Sequence, residues 1–282
     1  MPGQFSMRIG SGQNLTKANC RHTVRREILV VALSTGCIAL YELILGGNPR
    51  LQHLDDFSFF PDKFLVLSLG MSSVGTSVIS TLSTGLVSIL DMAQQIPRRG
   101  LTWTAHDLEV WCSAWKSADT VLTGGDDSLL KLWDLREDLQ TAQIVCKRSL
   151  LFINLSYGSH NAGVTSILPV SDSLVLTGSY DNHLRLFDYR NFRRPVSSLD
   201  LDGGVWRILP RPGLNMTSFL TCCMQTGGKM ISLNLKGKIL AEEGVFEPEE
   251  ERRLIYGASW QDDTVAALCS FYEKSLYICR IP

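Results

Sequence analysis

The sequence has little of what marks most enzymes and most helical proteins. No long stretch repeats an apolar residue every third or fourth position, which excludes a helical bundle or coiled coil. There is no G-x-S-x-G nucleophile elbow. The nearest run, Gly70-Met71-Ser72-Ser73-Val74-Gly75, has the wrong spacing and no helix after it. The H-E-x-x-H, P-loop and G-x-G-x-x-G signatures are absent too, so zinc-protease, nucleotide and dinucleotide chemistry have no foothold here. Five histidines in 282 residues, none paired at ligand spacing, argue against a metal site, and no cofactor is implied. A net charge of −1 lacks the basic surplus of a nucleic-acid binder. The eight cysteines contain no C-x-x-C. Adjacent Cys222 and Cys223 would point to opposite faces of a strand, so reduced thiols packed in a cytoplasmic protein are expected.

Residues 1–26 contain no acid, while Arg8, Lys17, Arg21, Arg25 and Arg26 are spread among Ser, Gly and Asn. That balance resembles a transit peptide. The segment has no amphipathic apolar face, so 1–27 reads as an irregular leader ahead of a domain over 28–282. Residues 28–44 are apolar but short for a membrane span, and they contain the turn Ser34-Thr35-Gly36 and the charge of Glu42. They read as two strands, and no membrane partner is expected.

What the chain does have is repetition. Residues 121–134 and 175–188 are near copies: an apolar strand, a tight turn with Gly and Asp, an alternating strand, then Trp133-Asp134 or Phe187-Asp188. This is the pattern of a WD40 repeat. Weaker hairpins are read at 29–33 with 37–43, 78–82 with 86–91, 219–224 with 230–235, and 265–270 with 276–281. Their starts lie roughly 40 to 55 residues apart, the spacing of propeller blades. The expected class is an all-β WD40 propeller with about six recognisable blades of seven, the N-terminal one missing or irregular. The first hairpin shows no obvious inner strand of its own. A shortened propeller would expose unpaired strand edges, a stability liability.

His106 and His160 stand ahead of the inner strands that precede the two best hairpins. In WD40 blades a histidine so placed bonds to a hydroxyl of the second strand and onward to the turn Asp and third-strand Trp. The expected sets are His106, Thr123, Asp127, Trp133 and His160, Thr177, Asp181, with Phe187 unable to donate the last bond. His, hydroxyl and Asp together also imitate a hydrolase triad, but in this setting they read as struts of the blade.

Three segments exceed what a blade requires: Glu109-Val110-Trp111, Gly203-Gly204-Val205-Trp206-Arg207, and Cys269-Ser270-Phe271-Tyr272. Tyr272 reads as the counterpart of Tyr180, each preceding its turn acid, Glu273 and Asp181. Glu109, Trp111, Tyr180, Trp206, Arg207 and Tyr272 are thereby expected on one propeller rim.

These segments, with Trp103-Thr104-Ala105-His106 and Tyr256-Gly257-Ala258-Ser259-Trp260, resemble the WD-repeat enzymes of diphthamide synthesis. That family is called diphthine methyltransferase or methylated-diphthine methylhydrolase. The likeness covers roughly 65–281 and fades towards the N-terminus, where the family has about one more blade. It implies a carboxylic-ester hydrolase acting on a methyl ester of a modified histidine in translation elongation factor 2. The product, diphthine, is then amidated to diphthamide by a separate ATP-dependent enzyme.

No catalytic set carries over with the resemblance, so roles follow from chemistry. The substrate carries a trimethylammonium beside the ester. A quaternary ammonium cannot donate hydrogen bonds and is received by aromatic faces, for which Trp111, Tyr180, Trp206 and Tyr272 are the candidates. Arg207 would stabilise the developing oxyanion and Glu109 would activate the attacking water, with Ser179 or Ser270 as alternative nucleophiles. The chain is expected to act as a monomer. The alternative reading is a catalytically silent WD40 adaptor whose rim binds protein partners.

Overall fold

The computed structural model describes residues 7–10, 27–45, 48–94, 96–139, 144–146, 160–246 and 254–281. They form six antiparallel sheets of three or four strands, each a simple meander. This is the all-β propeller architecture expected from the repeats. The chain divides into two compact units. One comprises Met1–Gly125 with Lys131–Gln143, the other Asp126–Leu130 with Ile144–Pro282.

In the first unit, one sheet runs Met7–Gly10, Glu27–Ala32, Cys37–Ile44, Arg50–Ser58. Part of the expected leader is therefore a strand: Met7–Gly10 pairs with Ile28 to Val31 and supplies the inner strand that the sequence hid. The rest of that leader, up to Arg26, lies outside the described residues. The next sheet runs Val66–Met71, Ser77–Leu82, Leu86–Asp91, Arg98–Thr104. A third contains Val110–Trp115, Thr120–Gly125 and Leu130–Asp134. Two apolar clusters fill the unit, one around Val66, Val78, Leu82 and Leu90, the other around Val110, Val121, Trp103 and Trp133.

In the second unit, one sheet runs Val164–Pro169, Leu174–Ser179, His183–Asp188, Ser197–Asp200. The next runs Val205–Pro210, Ser218–Cys223, Gly227–Asn234, Ile239–Phe246. The last has Ile255–Trp260, Val265–Ser270 and Leu276–Arg280. Leu176, Leu184, Leu186, Val205, Phe219 and Ile231 form the core between the first two of these sheets. Second strands such as Leu174–Ser179 and Ser218–Cys223 are buried at every residue, while the outer strand Ile239–Phe246 is mostly exposed. Burial on both faces explains why second strands read as continuous apolar runs rather than alternating ones.

One irregularity recurs. Near the start of each of five inner strands the register slips by one residue against the second strand. The residue left over is Leu67, Trp111, Thr165, Trp206 and Tyr256 in turn. A bulge of this kind kinks the strand and re-aims the extra side chain. Three of the five are large aromatics, and that positions the site.

Candidate functional site

Two repeat positions build the site. One is the bulged residue just described. The other is the residue that follows the second strand, whose amide closes a hydrogen bond to the carbonyl preceding the inner strand. Tyr180 N–H donates to Gly163 O at 3.0 Å, Met224 N–H to Gly204 O at 2.8 Å, and Phe271 N–H to Leu254 O at 3.4 Å. The register corrects one expectation: Phe271, not Tyr272, is the counterpart of Tyr180.

Within the second unit these positions place aromatic rings in an unbroken row. Tyr180 lies 5.4 Å from Trp206 between ring centroids, and Trp206 lies 5.3 Å from Tyr256 at 81°. Tyr256 meets Phe271 at 6.0 Å and 73°, and Phe271 meets Tyr272 at 5.2 Å and 86°. Edge-on and tilted pairs at these distances are the favourable arrangements for π systems. Trp206 is the floor of the row, only 3% exposed, while Tyr180 and Tyr256 are half-buried and Phe271 and Tyr272 open to solvent. The Arg207 guanidinium sits 5.2 Å from the Trp206 ring, and its Nη1 donates to Trp206 O at 2.9 Å. Burial pushes the Tyr180 phenol up, helped by Tyr256 and by the carboxylate of Asp126, and Arg207 works against the shift. The Tyr256 phenol is raised in the same way by burial and by Tyr272.

The glycines ahead of Trp206 have a definite task. A β-carbon on Gly204 would stand 3.2 Å from the Met224 sulfur and 3.4 Å from Tyr180 Cδ1. The Gly204 amide also donates to the Gln225 side chain at 3.0 Å, which ties this loop to the turn after the second strand. Gly-Gly before Val205 therefore lets the loop pass close beside the Tyr180 ring.

Glu109 and Trp111 belong to the first unit, and both are half-buried. Trp111 is a bulged residue, like Trp206 and Tyr256. Glu109 directly precedes its inner strand, where Gly163 and Gly204 stand in later repeats. Ser179 and Ser270 are occupied elsewhere. Ser179 Oγ donates to Ala162 O at 3.1 Å and accepts from Asp181 N–H, while buried Ser270 Oγ accepts from Ser275 N–H at 3.3 Å. None of these bonds pairs either hydroxyl with a side-chain base, as a nucleophile requires.

The histidine sets are struts of unequal completeness. His106 Nε2 lies 2.7 Å from Thr123 Oγ1, which also accepts from Trp133 Nε1 at 2.9 Å. The Asp127 carboxylate caps its turn by accepting from Leu129 N–H at 3.1 Å. His160 Nε2 lies 2.9 Å from Thr177 Oγ1, yet its buried Nδ1 has no partner among the described residues. Its ring packs 5.7 Å from Phe187. Burial, with Arg185 nearby, pushes His160 down to about 3, so it stays neutral. Asp181 accepts from Asn161 N–H at 2.7 Å and from Arg185 Nη1 at 2.8 Å.

A cleft of about 600 Å³ in the first unit is lined by Leu101, Trp103, Leu135 and Glu137 and contains none of the expected site residues. Among the described residues no group of three or more His, Cys, Asp or Glu is placed to hold a metal ion. No described helix is long and apolar enough to cross a membrane.

Comparison with known proteins bears on this arrangement. The WD domain, G-beta repeat, matches residues 98–134 and 153–188. A chain in the crystal structure of the mitotic checkpoint complex superposes with a TM-score of 0.70 at 16% identity, covering 90% of this chain and 71% of that one. That likeness shows the propeller fold alone. Human diphthine methyltransferase is 30% identical over 248 residues, 83% of this chain and 52% of the human protein. The diphthine methyltransferase homolog of Dictyostelium discoideum is 29% identical over 273 residues, 89% of this chain and 72% of that protein. The chain is thus similar to WD-repeat diphthine methyltransferases over most of its length. It spans about half the length of its human relative.

Three residues at the same repeat positions were not singled out by sequence reasoning. Tyr256 occupies the bulge position of Trp111 and Trp206, and Phe271 the turn position of Tyr180. Asp126 stands at that turn position in the repeat before Tyr180. Aligning the hairpins by strand ends instead of by turn acids is the signal that finds all three.

Proposed function

We propose that this chain is the propeller of a carboxylic-ester hydrolase that demethylates the diphthine methyl ester on translation elongation factor 2, in the cytoplasm. Water adds to the ester carbonyl, the methoxy group leaves as methanol, and the carboxylate remains as diphthine for the final amidation of diphthamide biosynthesis. One observation carries the reading: the row Tyr180, Trp206, Tyr256 and Phe271, set beside Arg207, in a chain whose relatives bear the diphthine methyltransferase name. Aromatic faces receive the trimethylammonium, and the guanidinium polarises the ester carbonyl as charge develops on its oxygen.

Trp206 is too deeply buried to be a wall of the cage, so Tyr180 and Tyr256 do most of the facing and Trp206 holds them apart. Glu109 is the carboxylate that we assign to the attacking water. The test is incubation of the protein with methyl-esterified elongation factor 2, followed by mass measurement of the factor. Loss of one methylene unit, with methanol released, supports hydrolysis. An unchanged factor that nevertheless binds would make the chain an adaptor.

A further inference from the structure

We infer that Asp126 is the anionic partner of the substrate's cation, so that the site has a cation end at Asp126 and Tyr180 and a carbonyl end at Arg207. The inference rests on the ester-hydrolase reading for its substrate and adds a residue and a polarity to it.

The geometry begins at Gly163. A β-carbon there would stand 2.6 Å from Asp126 Oδ1, 3.2 Å from Asp126 Cα and 3.3 Å from Tyr180 Cδ2. A carboxylate oxygen and the edge of the Tyr180 ring thus meet over one bare stretch of backbone. Both residues are half-buried, so their charge and quadrupole are only partly screened by water. Asp126 follows the strand Thr120–Gly125 as Tyr180 follows Leu174–Ser179, which places the two acceptors of positive charge at one repeat position in successive blades. The opposite pole is Arg207, held at the face of Trp206 by its bonds to the carbonyls of Trp206 at 2.9 Å and Thr165 at 3.4 Å.

A site built this way discriminates by charge along its length. An ester that carries a quaternary ammonium is matched at both ends: the ammonium takes ring face and carboxylate, the carbonyl takes the guanidinium. A neutral isostere gains from the rings and loses the carboxylate's contribution.

Choline and its uncharged isostere 3,3-dimethylbutan-1-ol provide the probe pair, titrated into the purified protein by NMR or calorimetry. The wild type is expected to prefer choline. Asp126→Asn keeps the size and removes the charge, and should weaken choline about tenfold while leaving the alcohol unchanged. No preference in the wild type, or equal weakening of both ligands in Asp126→Asn, would overturn the inference.

Turnover of the methyl-esterified factor separates this from the parent reading. If the wild type does not hydrolyse the ester but shows the choline preference lost in Asp126→Asn, the hydrolase reading fails and the cation site stands. If hydrolysis occurs and Asp126→Asn raises KM with kcat intact, both stand. A fall in kcat at unchanged KM would place Asp126 in bond cleavage and end the proposal.

Discussion

Lys238, at the turn between the strands Gly227–Asn234 and Ile239–Phe246, reaches the carboxylate of Asp188 in the preceding sheet at 2.5 Å. Asp188 is buried and also accepts from Arg190 Nη2 at 2.6 Å, so one carboxylate ties two blades of the second unit together. Lys238→Ala should cost about 1 kcal/mol, since the ammonium is partly solvated. The Arg190 and Lys238 contacts hold the Asp188 carboxyl well below the usual carboxylate range. A depressed folded value means this stability is present above the unfolded carboxylate pKa and fades as pH falls towards the folded one. Thermal melts from neutral to acid pH should show a shallower decline for Asp188→Asn than for the wild type.

His106→Ala should destabilise more than His160→Ala. The first removes a partner from a satisfied His–Thr–Trp set and leaves Thr123 underbonded, at about 1–3 kcal/mol. The second removes a ring whose Nδ1 already lacks a partner. Equal melting shifts would contradict this. His106→Ala with full stability and no hydrolysis would recast that strut as a catalytic base.

His160 also predicts a pH signature. Its folded value is lowered from 6.5 to about 3, so the unfolded chain binds the extra proton first. The contribution is complete above pH 6.5 and is lost progressively as pH falls to about 3. Urea titrations across this window should lose part of their pH slope in His160→Gln.

Trp206→Ala and Tyr180→Ala should separate in kind. Trp206 is a buried floor, and its removal should cost about 3–5 kcal/mol of stability. Tyr180 and Tyr256 face the proposed cation, and truncation of either should weaken substrate binding by about 1–2 kcal/mol with a smaller effect on melting. The two readouts are the denaturation midpoint and the KM for the esterified factor.

Glu109→Gln preserves size and hydrogen bonding but removes a base. Under the proposed hydrolysis, turnover should collapse while binding of the factor survives. Full activity in this variant would leave the enzyme reading intact and move the base elsewhere.

Most hairpin strands were legible in the sequence to within a residue or two, although the strand expected at 230–235 begins at Gly227, inside the expected turn. The expected strands 78–82 and 86–91 are Ser77–Leu82 and Leu86–Asp91, and 265–270 is Val265–Ser270. Alternation and a glycine turn are local properties, so a short window contains all the information needed. The inner strand Met7–Gly10 was not legible: four residues carry too little pattern, and their partner lies across 17 intervening positions of the chain. The site divides in the same way. Residue types at repeat positions singled out Trp111, Tyr180, Trp206 and Arg207 directly. The one-residue bulge that aims Trp206 and Tyr256, and the bare backbone of Gly163 where Asp126 meets Tyr180, were decided by tertiary structure. Register is a relation between two strands, and close approach is a relation between two loops; neither is written in one stretch of chain.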